Sequence, residues 1–399
     1  MLITRSVVKV VISRNFSLHK TSLYENHVKL NGRMVPYAGY LMPVQFEEPS
    51  VLESSVALRE KAGIFDVSHM LQMSIRGKNA KAFLETLSLA DITSLKDNSG
   101  QLSMYLNGDG GIIDDIILNK INEEEFYVVS NAGCREKVLT NIQKYIKDFD
   151  NVQADIVPKS LIAMQGPLAE RVLSKGLGDV DSSRLMSLKF MESFSSDELF
   201  KISMKNKSIN EGVRITRCGY TGEDGFEISI PDEFAPAIYD EILKDNTIIP
   251  CGLAARDILR MEAGLCLYGN DIDESVNILE AGLLWTLSKN RRSSTPKFIG
   301  HESTMMAIEK KKLNPRRRKG FTWKKGPPGK KDSGIFDGSG VKMGSMSSSC
   351  YSPNLKMNIG MGYLDVPVGN VKELFVEVRN KLHRIDLAKM PFLQTRYKK

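Results

Sequence analysis

Three places in this chain of 399 residues put reactive groups at informative spacings. Asp114 and Asp115 are adjacent at the end of Gly110-Gly-Ile-Ile-Asp-Asp115. In an extended strand neighbours project to opposite faces. One carboxylate then points into a cavity while the other meets solvent or caps a backbone group; otherwise both are turn carboxylates. The stretch Val213-Arg-Ile-Thr-Arg-Cys-Gly-Tyr-Thr-Gly-Glu-Asp-Gly-Phe-Glu-Ile-Ser-Ile230 reads as two strands joined by a glycine-rich turn. Val213 and Ile215, then Phe226, Ile228 and Ile230, keep the period of two, and Gly219, Gly222 and Gly225 supply the permissive backbone. The turn carries a Tyr, three acids and an Arg, more than a hairpin needs, so it is either a site or a solvated turn. Arg256, in Leu253-Ala-Ala-Arg-Asp257, sits early in a predicted helix, where small Ala254 and Ala255 let the backbone pack closely while Arg256 projects. Asp257 and Arg260 are spaced to pair along that helix. His69 is read as a structural histidine.

These groups need elements to hold them. Glu47 to Ala62, Ala80 to Leu89, Arg135 to Tyr145, Ala169 to Leu173, Ala237 to Leu243 and Ala254 to Glu262 read as helical. Met70 to Ile75, Ile112 to Asn119, Phe126 to Ser130 and Leu161 to Gln165 read as strands, and Met34 to Phe46 as an irregular segment packed on a core or lining a pocket. The order strand, helix, strand, strand, helix recurs in residues 65–150 and 160–245, which predicts an internal duplication of antiparallel α+β units. Short strands with turns between them after residue 331 predict a small all-β module.

Composition narrows the class. No run of 18 uncharged apolar residues occurs, so no membrane span is expected. Five scattered cysteines lack metal or disulfide spacing and fit free thiols in a reducing compartment. The net charge of +7 is concentrated: residues 289–331 hold fifteen Lys and Arg against two Glu, and the remainder is net acidic. The first 24 residues contain no Asp or Glu, carry Arg5, Lys9, Arg14 and Lys20, and read as a mitochondrial presequence cleaved after Phe16.

The wording of the motifs carries a family resemblance. Arg217-Cys-Gly-Tyr-Thr-Gly-Glu-Asp-Gly-Phe-Glu227 resembles the signature of the aminomethyltransferases, the T-proteins of the glycine cleavage system. In order along the chain, Gly63-Ile-Phe-Asp-Val-Ser-His-Met70, Gly110 to Asp115, Tyr127-Val-Val-Ser-Asn-Ala-Gly133, Gly252 to Asp257, Arg260 to Asp271 and Met361-Gly-Tyr363 also match, spanning roughly residues 23 to 397. The resemblance implies an α+β, three-domain cloverleaf around a central folate cavity, and composition and pattern divide the chain into a presequence (1–16), two related, interleaved antiparallel α+β units (17–288), a basic junction (289–331) and a C-terminal barrel-like β domain (332–399).

It further implies transfer of the aminomethyl carbon from the dihydrolipoyl arm of lipoylated H-protein to tetrahydrofolate, giving 5,10-methylenetetrahydrofolate and ammonia in the mitochondrial matrix. Asp115 is placed at the catalytic position, stabilising the cation that develops as ammonia leaves. Glu227 accepts paired N–H donors from the pterin, and Arg256 binds ligand or fixes Glu227. Tyr397 contacts ligand, and Tyr105, Asn131, Tyr220 and Trp285 are further pocket candidates. No metal, flavin, nucleic acid or membrane is implied. The basic tract is a solvated linker or a docking surface for acidic H-protein or a polyglutamate folate tail; no nucleic-acid motif accompanies it. A folate-binding iron–sulfur assembly factor of the same fold is the alternative, but its Lys-Gly-Cys-aromatic-x-Gly-Gln-Glu motif is absent. A sarcosine or dimethylglycine dehydrogenase needs a flavin domain, and no GxGxxG follows a strand. Ser349 stands where the family has Gly, and Lys330 where it often has Arg, which puts details of the C-terminal module in doubt.

Overall fold

The computed structural model describes residues 18–203, 212–293, 295–310, 314–365 and 373–399. The expected presequence, 1–16, lies outside them. The described chain opens with β1 (His19–Lys20), α1 (Tyr24–Lys29), β2 (Arg33–Tyr37) and β3 (Tyr40–Gln45), in a sheet ordered β1-β3-β2. The segment 34–46, expected to be irregular, is therefore largely a hairpin. Its turn residues Ala38 and Gly39 have φ of 47° and 84°, the left-handed pair that matches the twist of two antiparallel strands. Next come α2 (Val51–Glu60), started by a Ser50–Glu53 capping box, and β4 (Ala62–Asp66).

The first α+β unit is β5 (Leu71–Arg76), α3 (Ala80–Leu87), β6 (Ser99–Leu106), β7 (Ile112–Asn122), β8 (Glu125–Ser130), α4 (Arg135–Ile146) and β9 (Gln153–Ile156). Its sheet runs β6-β7-β8-β5-β9. The second unit is β10 (Lys159–Gln165), α5 (Ala169–Lys175), α6 (Asp179–Ser187), β11 (Ser193–Ser196), the short pair β12 (Glu198–Leu199) and β13 (Ile202–Ser203), β14 (Val213–Thr216), β15 (Gly225–Pro231), α7 (Ala235–Leu243) and β16 (Ile248–Pro250). Its sheet runs β11-β14-β15-β10-β4-β16. The two orders are the same except that β4, from ahead of the first unit, is inserted beside β10. The duplication is real, and β4 interleaves the halves.

After α8 (Leu253–Glu262) and α9 (His301–Glu309), six antiparallel strands close a barrel: β17 (Arg316–Trp323), β18 (Gly334–Asp337), β19 (Lys342–Ser352), β20 (Met357–Asp365), β21 (Leu374–Val378) and β22 (Lys381–Ala388). The barrel thus begins inside the basic tract, not after it. Arg291 is buried and donates to the Pro296 carbonyl at 2.9 Å, and Arg318 donates to the carbonyls of Ala281 at 2.8 Å and Gly264 at 3.1 Å. Part of the tract is folded core rather than linker. Among the described residues no helix is long and apolar enough to cross a membrane.

Packing decides which strand faces look inward. On β7 and β8, Ile116, Leu118, Phe126 and Val128 join Phe83, Leu84, Val138 and Ile142 of α3 and α4 in one core. On β15, Phe226, Ile228 and Ile230 join Val172, Leu173, Ile238 and Ile242 of α5 and α7 in another. Burying each such side chain contributes roughly 1.5–3 kcal/mol, enough to fix the register. The opposite faces meet through Tyr127, Val129, Leu161 and Ala163. Helices therefore cover the outside of both sheets, and Asp115 and Glu227, out of phase with the helix-packed residues, are forced between them.

Candidate active site

The space between the units opens into a cavity of about 800 Å³. Asp115 and Ile117 of β7 line it, as do Asn131 just past β8, Glu227 of β15, and Arg256, Asp257 and Arg260 of α8. Cys218 and Tyr220 come from the glycine turn, Trp285 from the segment after α8, and Met390, Pro391 and Tyr397 from the C-terminal tail.

Asn131 organises the acidic corner. Its Nδ2 donates to Asp114 Oδ1 and to Asp115 Oδ1, each at 2.8 Å, and to the Asp115 carbonyl at 3.1 Å. Its backbone N–H donates to Asp114 Oδ2 at 3.0 Å. Asp114 is fully buried on the helix side, whereas Asp115 reaches the cavity. Burial pushes both carboxyls above the usual carboxylate range, and the charge of Asp115 pushes Asp114 further. At the ~5 Å that a shared donor allows, two full charges repel by about 3 kcal/mol at an effective dielectric near 20. The two protons of the pair therefore leave in separate steps.

The opposite wall pairs a carboxylate with a guanidinium. Burial raises the Glu227 carboxyl, while the charge of Arg256 and the Cys218 thiol hydrogen bond pull it back. Burial holds the Cys218 thiol well above its ordinary range, so it stays protonated. Arg256 lies 4.7 Å from the centre of the Tyr220 ring, and its buried Nη1 has no partner in the described protein. A buried donor left open in this way costs free energy unless a ligand meets it. Tyr220 in turn donates to the Cys266 carbonyl. His69 is buried and faces Tyr37 edge-on at 5.5 Å; burial and Arg256 lower it to about 4, against the pull of Asp66. It lines the cavity as a neutral ring.

The glycine turn is held from behind. Gln165 Nε2 donates to the Cys218 carbonyl at 3.0 Å, and Thr221 donates to Gln165 Oε1 at 3.0 Å. Gly222 has φ of 80°, and a Cβ there would stand 2.9 Å from Ala263 Cβ. Of the turn acids, Glu223 pairs with Arg59 at 2.9 Å and Asp224 pairs with Arg217. Both are committed to ion pairs within the protein, which leaves Glu227 as the acid of this stretch that lines the cavity. Arg260 pairs with Asp257 at 2.8 Å, as its spacing predicts, and also with Asp271 at 2.6 Å and Ser348 Oγ at 2.9 Å. This ties α8 to the barrel. Ser349 of β19, the departure from the family, donates to the Gly329 carbonyl at 2.7 Å in the connection between β17 and β18.

The chain end returns from the barrel to close the cavity. Arg396 pairs with Glu223 at 3.0 Å, and Lys398 with Glu170 at 2.9 Å. Tyr397 between them stacks on Phe190, ring centres 4.2 Å apart.

The structure brings Asp115, Asn131, Tyr220, Glu227, Arg256, Trp285 and Tyr397 to one cavity, with Trp285 at the rim, 68% exposed. Tyr105 is a correction. It pairs across β6 and β7 with Asp114 and so shares the helix-packed face; it is fully buried in the core of the first unit. Its neighbour Met104, opposite Asp115, lines the cavity instead. Phe190 and Arg318 also line it without any sequence signal, because each arrives by long-range packing.

Comparison with known proteins agrees with this architecture. Residues 23–291 match the GCVT N-terminal domain, and residues 316–394 match the glycine cleavage T-protein C-terminal barrel domain. The chain belongs to the glycine cleavage T-protein family of aminomethyltransferases. It is 41% identical over 387 residues to a probable mitochondrial aminomethyltransferase of Schizosaccharomyces pombe, covering 96% of this chain and 95% of that one. It is 42% identical over 385 residues to the mitochondrial aminomethyltransferase of Homo sapiens, covering 95% and 91%. The crystal structure of the glycine cleavage system aminomethyltransferase T from Bartonella henselae superposes with a TM-score of 0.86 at 34% identity, over 96% of this chain and all of that one. The protein is thus an aminomethyl-transferring enzyme, and these two eukaryotic relatives are named mitochondrial.

Proposed function

We propose that the cavity binds tetrahydrofolate and receives the aminomethyl group carried by the dihydrolipoyl arm of an H-protein. The observation that carries this is a single cavity, of a size suited to a folate, lined by Asp115, by the half-buried Glu227 and by Arg256, whose Nη1 has no hydrogen-bond partner in the described protein. Glu227, backed by Cys218 and Arg256, would accept the paired N–H donors of the pterin edge. Tyr220 and Tyr397 offer flat faces to its rings. Asn131 serves the acid corner.

In the reaction the S–CH2–NH3+ unit loses nitrogen as ammonium. The carbon bonds to folate N5 and then closes on N10. The two folate N–H protons leave, one to ammonia and one to the sulfur, which departs as the dihydrolipoyl thiol. Iminium character develops on the carbon. Asp115, fixed by Asn131 and partly dry, stabilises that charge and holds a proton in transit. We place the protein in the mitochondrial matrix, with residues 1–16 removed on import, and take polyglutamylated folate as a substrate form. The test is direct: the purified protein, aminomethyl-loaded H-protein and tetrahydrofolate should yield equal amounts of ammonia and methylenetetrahydrofolate. Ammonia release without methylenetetrahydrofolate, or neither product, would overturn the reading.

A further inference from the structure

Arg59, in the last turn of α2, does not line the cavity, yet it touches elements that do. One edge of its buried guanidinium, Nε and Nη2, donates to Glu262 Oε2 at the end of α8, at 3.2 and 2.7 Å. Nη1 donates to the Thr221 carbonyl at 2.8 Å and to Glu223 Oε1 at 2.9 Å, both in the glycine turn. The same Glu223 oxygen pairs with Arg396 Nη2 at 3.0 Å, and the Arg396 backbone N–H donates to the Gly222 carbonyl at 2.8 Å. The tail starts from the same place: the N–H groups of Phe392 and Leu393 donate to the Glu262 carbonyl at 2.9 and 3.0 Å. These three segments bring Arg256 from α8, Tyr220 from the turn and Tyr397 from the tail to the cavity. We propose that Arg59 is a positioning residue for the folate: it sets the spacing of the glycine turn from α8 and, through Glu223, that of the tail, so that Glu227, Arg256 and Tyr397 are placed for one ligand. This rests on the folate reading above.

Stability alone is a poor reason for this arrangement. Arg59, Glu223 and Glu262 are all buried, and the cost of taking charges out of water offsets most of their attraction. What a guanidinium supplies is geometry. Its donors lie in one plane at fixed angles, so acceptors met on different edges are held at a set distance. Apolar side chains of the same volume would fill the space and let the turn slide along the helix. Glu262 cannot follow such a slide. Its other oxygen accepts from Ser352 Oγ at 2.6 Å, at the end of β19, and from Asn354 Nδ2 at 3.0 Å, in the connection to β20. The barrel therefore anchors Glu262, and Arg59 carries that anchor across to the glycine turn. Asp115 and Asn131 stand on the first unit, to which none of the guanidinium's partners belongs. Losing Arg59 should therefore weaken folate binding and spare the transfer step.

The experiment compares wild type, Arg59→Lys and Arg396→Gln. Lys keeps the charge, but one ammonium cannot replace the planar fork. In Arg59→Lys the KM and Kd for tetrahydrofolate should rise by about tenfold or more, with kcat at saturating folate within about threefold of wild type. Hydrogen exchange followed by mass spectrometry, without ligand, gives a reading independent of activity. In Arg59→Lys the glycine turn (218–225) and the tail (390–398) should exchange faster together, while the strands of both sheets keep their protection. Arg396→Gln removes only the half-exposed outer end of the network, so the tail alone should loosen and the folate KM should rise less. If Arg59→Lys does not fold, Glu223→Gln serves in its place: it removes the charge that both arginines share and keeps the shape, and the folate KM should rise by about threefold or more. A folded Arg59→Lys with a folate KM within about twofold of wild type, a loss that falls on kcat, or faster exchange spread over the whole chain overturns the inference. If tetrahydrofolate is not the ligand, wild type itself shows no folate binding, while the exchange of turn and tail still decides whether Arg59 joins them.

Discussion

Asp115→Asn is the sharpest perturbation of this site. Asn keeps the size of Asp and retains an oxygen to accept the 2.8 Å hydrogen bond from Asn131, so the fold has no reason to change. What disappears is the charge. A carboxylate about 4 Å from a developing cation is worth about 4 kcal/mol at an effective dielectric near 20. Water remaining in a cavity of about 800 Å³ returns part of that. A net loss of about 3 kcal/mol in the transition state corresponds to a fall in kcat of roughly 100-fold or more. Folate binding should survive, because Glu227 and Arg256 stand on the opposite wall. Single-turnover release of methylenetetrahydrofolate from loaded H-protein measures the first quantity, and equilibrium titration with tetrahydrofolate the second. Turnover within about threefold of wild type, with normal folate binding, would refute a charge-stabilising role for Asp115.

Glu227→Gln keeps one acceptor and loses the charge and the symmetric fork; tetrahydrofolate affinity should fall by about tenfold or more, measured by calorimetry, while the unliganded melting temperature does not drop. Asp114→Asn should change stability with a definite sign. The native state holds the Asp114 proton to higher pH than the unfolded chain does, so wild-type stability is lost as pH rises above the ordinary carboxylate range. The melting temperature of the variant relative to wild type should therefore be higher at about pH 8 than at about pH 5, and a flat difference would contradict the raised carboxyl. Tyr105→Phe removes a buried hydroxyl that has no partner among the described residues; it should leave kcat and KM unchanged and gain up to about 1 kcal/mol in chemical denaturation. Deleting 396–399 removes Tyr397 and the Arg396 and Lys398 pairs, and should raise KM for folate far more than it lowers kcat in steady-state assays.

Most of the elements were legible because each has a local cause. The alternation in Val213–Thr216 and Gly225–Pro231 required two strands, and the apolar face of Arg135–Ile146 required a helix. The family wording singled out Asp115, Glu227 and Arg256, which the fold brings to one cavity, and the spacing of Asp257 and Arg260 foretold their pair. The sequence could state that Asp114 and Asp115 face opposite ways, but not which way is inward. That choice belongs to α3 and α4, which cover one face of the sheet and leave the other for the second unit. The same packing removed Tyr105 from the cavity, since its register against Asp114 is a cross-strand fact that no period within β6 contains. It also made a hairpin of residues 34–46 and gave Arg291 and Arg318 carbonyl partners where composition alone left a solvated linker or a docking surface open. Phe190 meets Tyr397 only because the chain end leaves the barrel and returns to the glycine turn. Local pattern determines what each segment becomes, whereas which faces meet is a competition among distant surfaces for burial. Only the folded chain settles that competition.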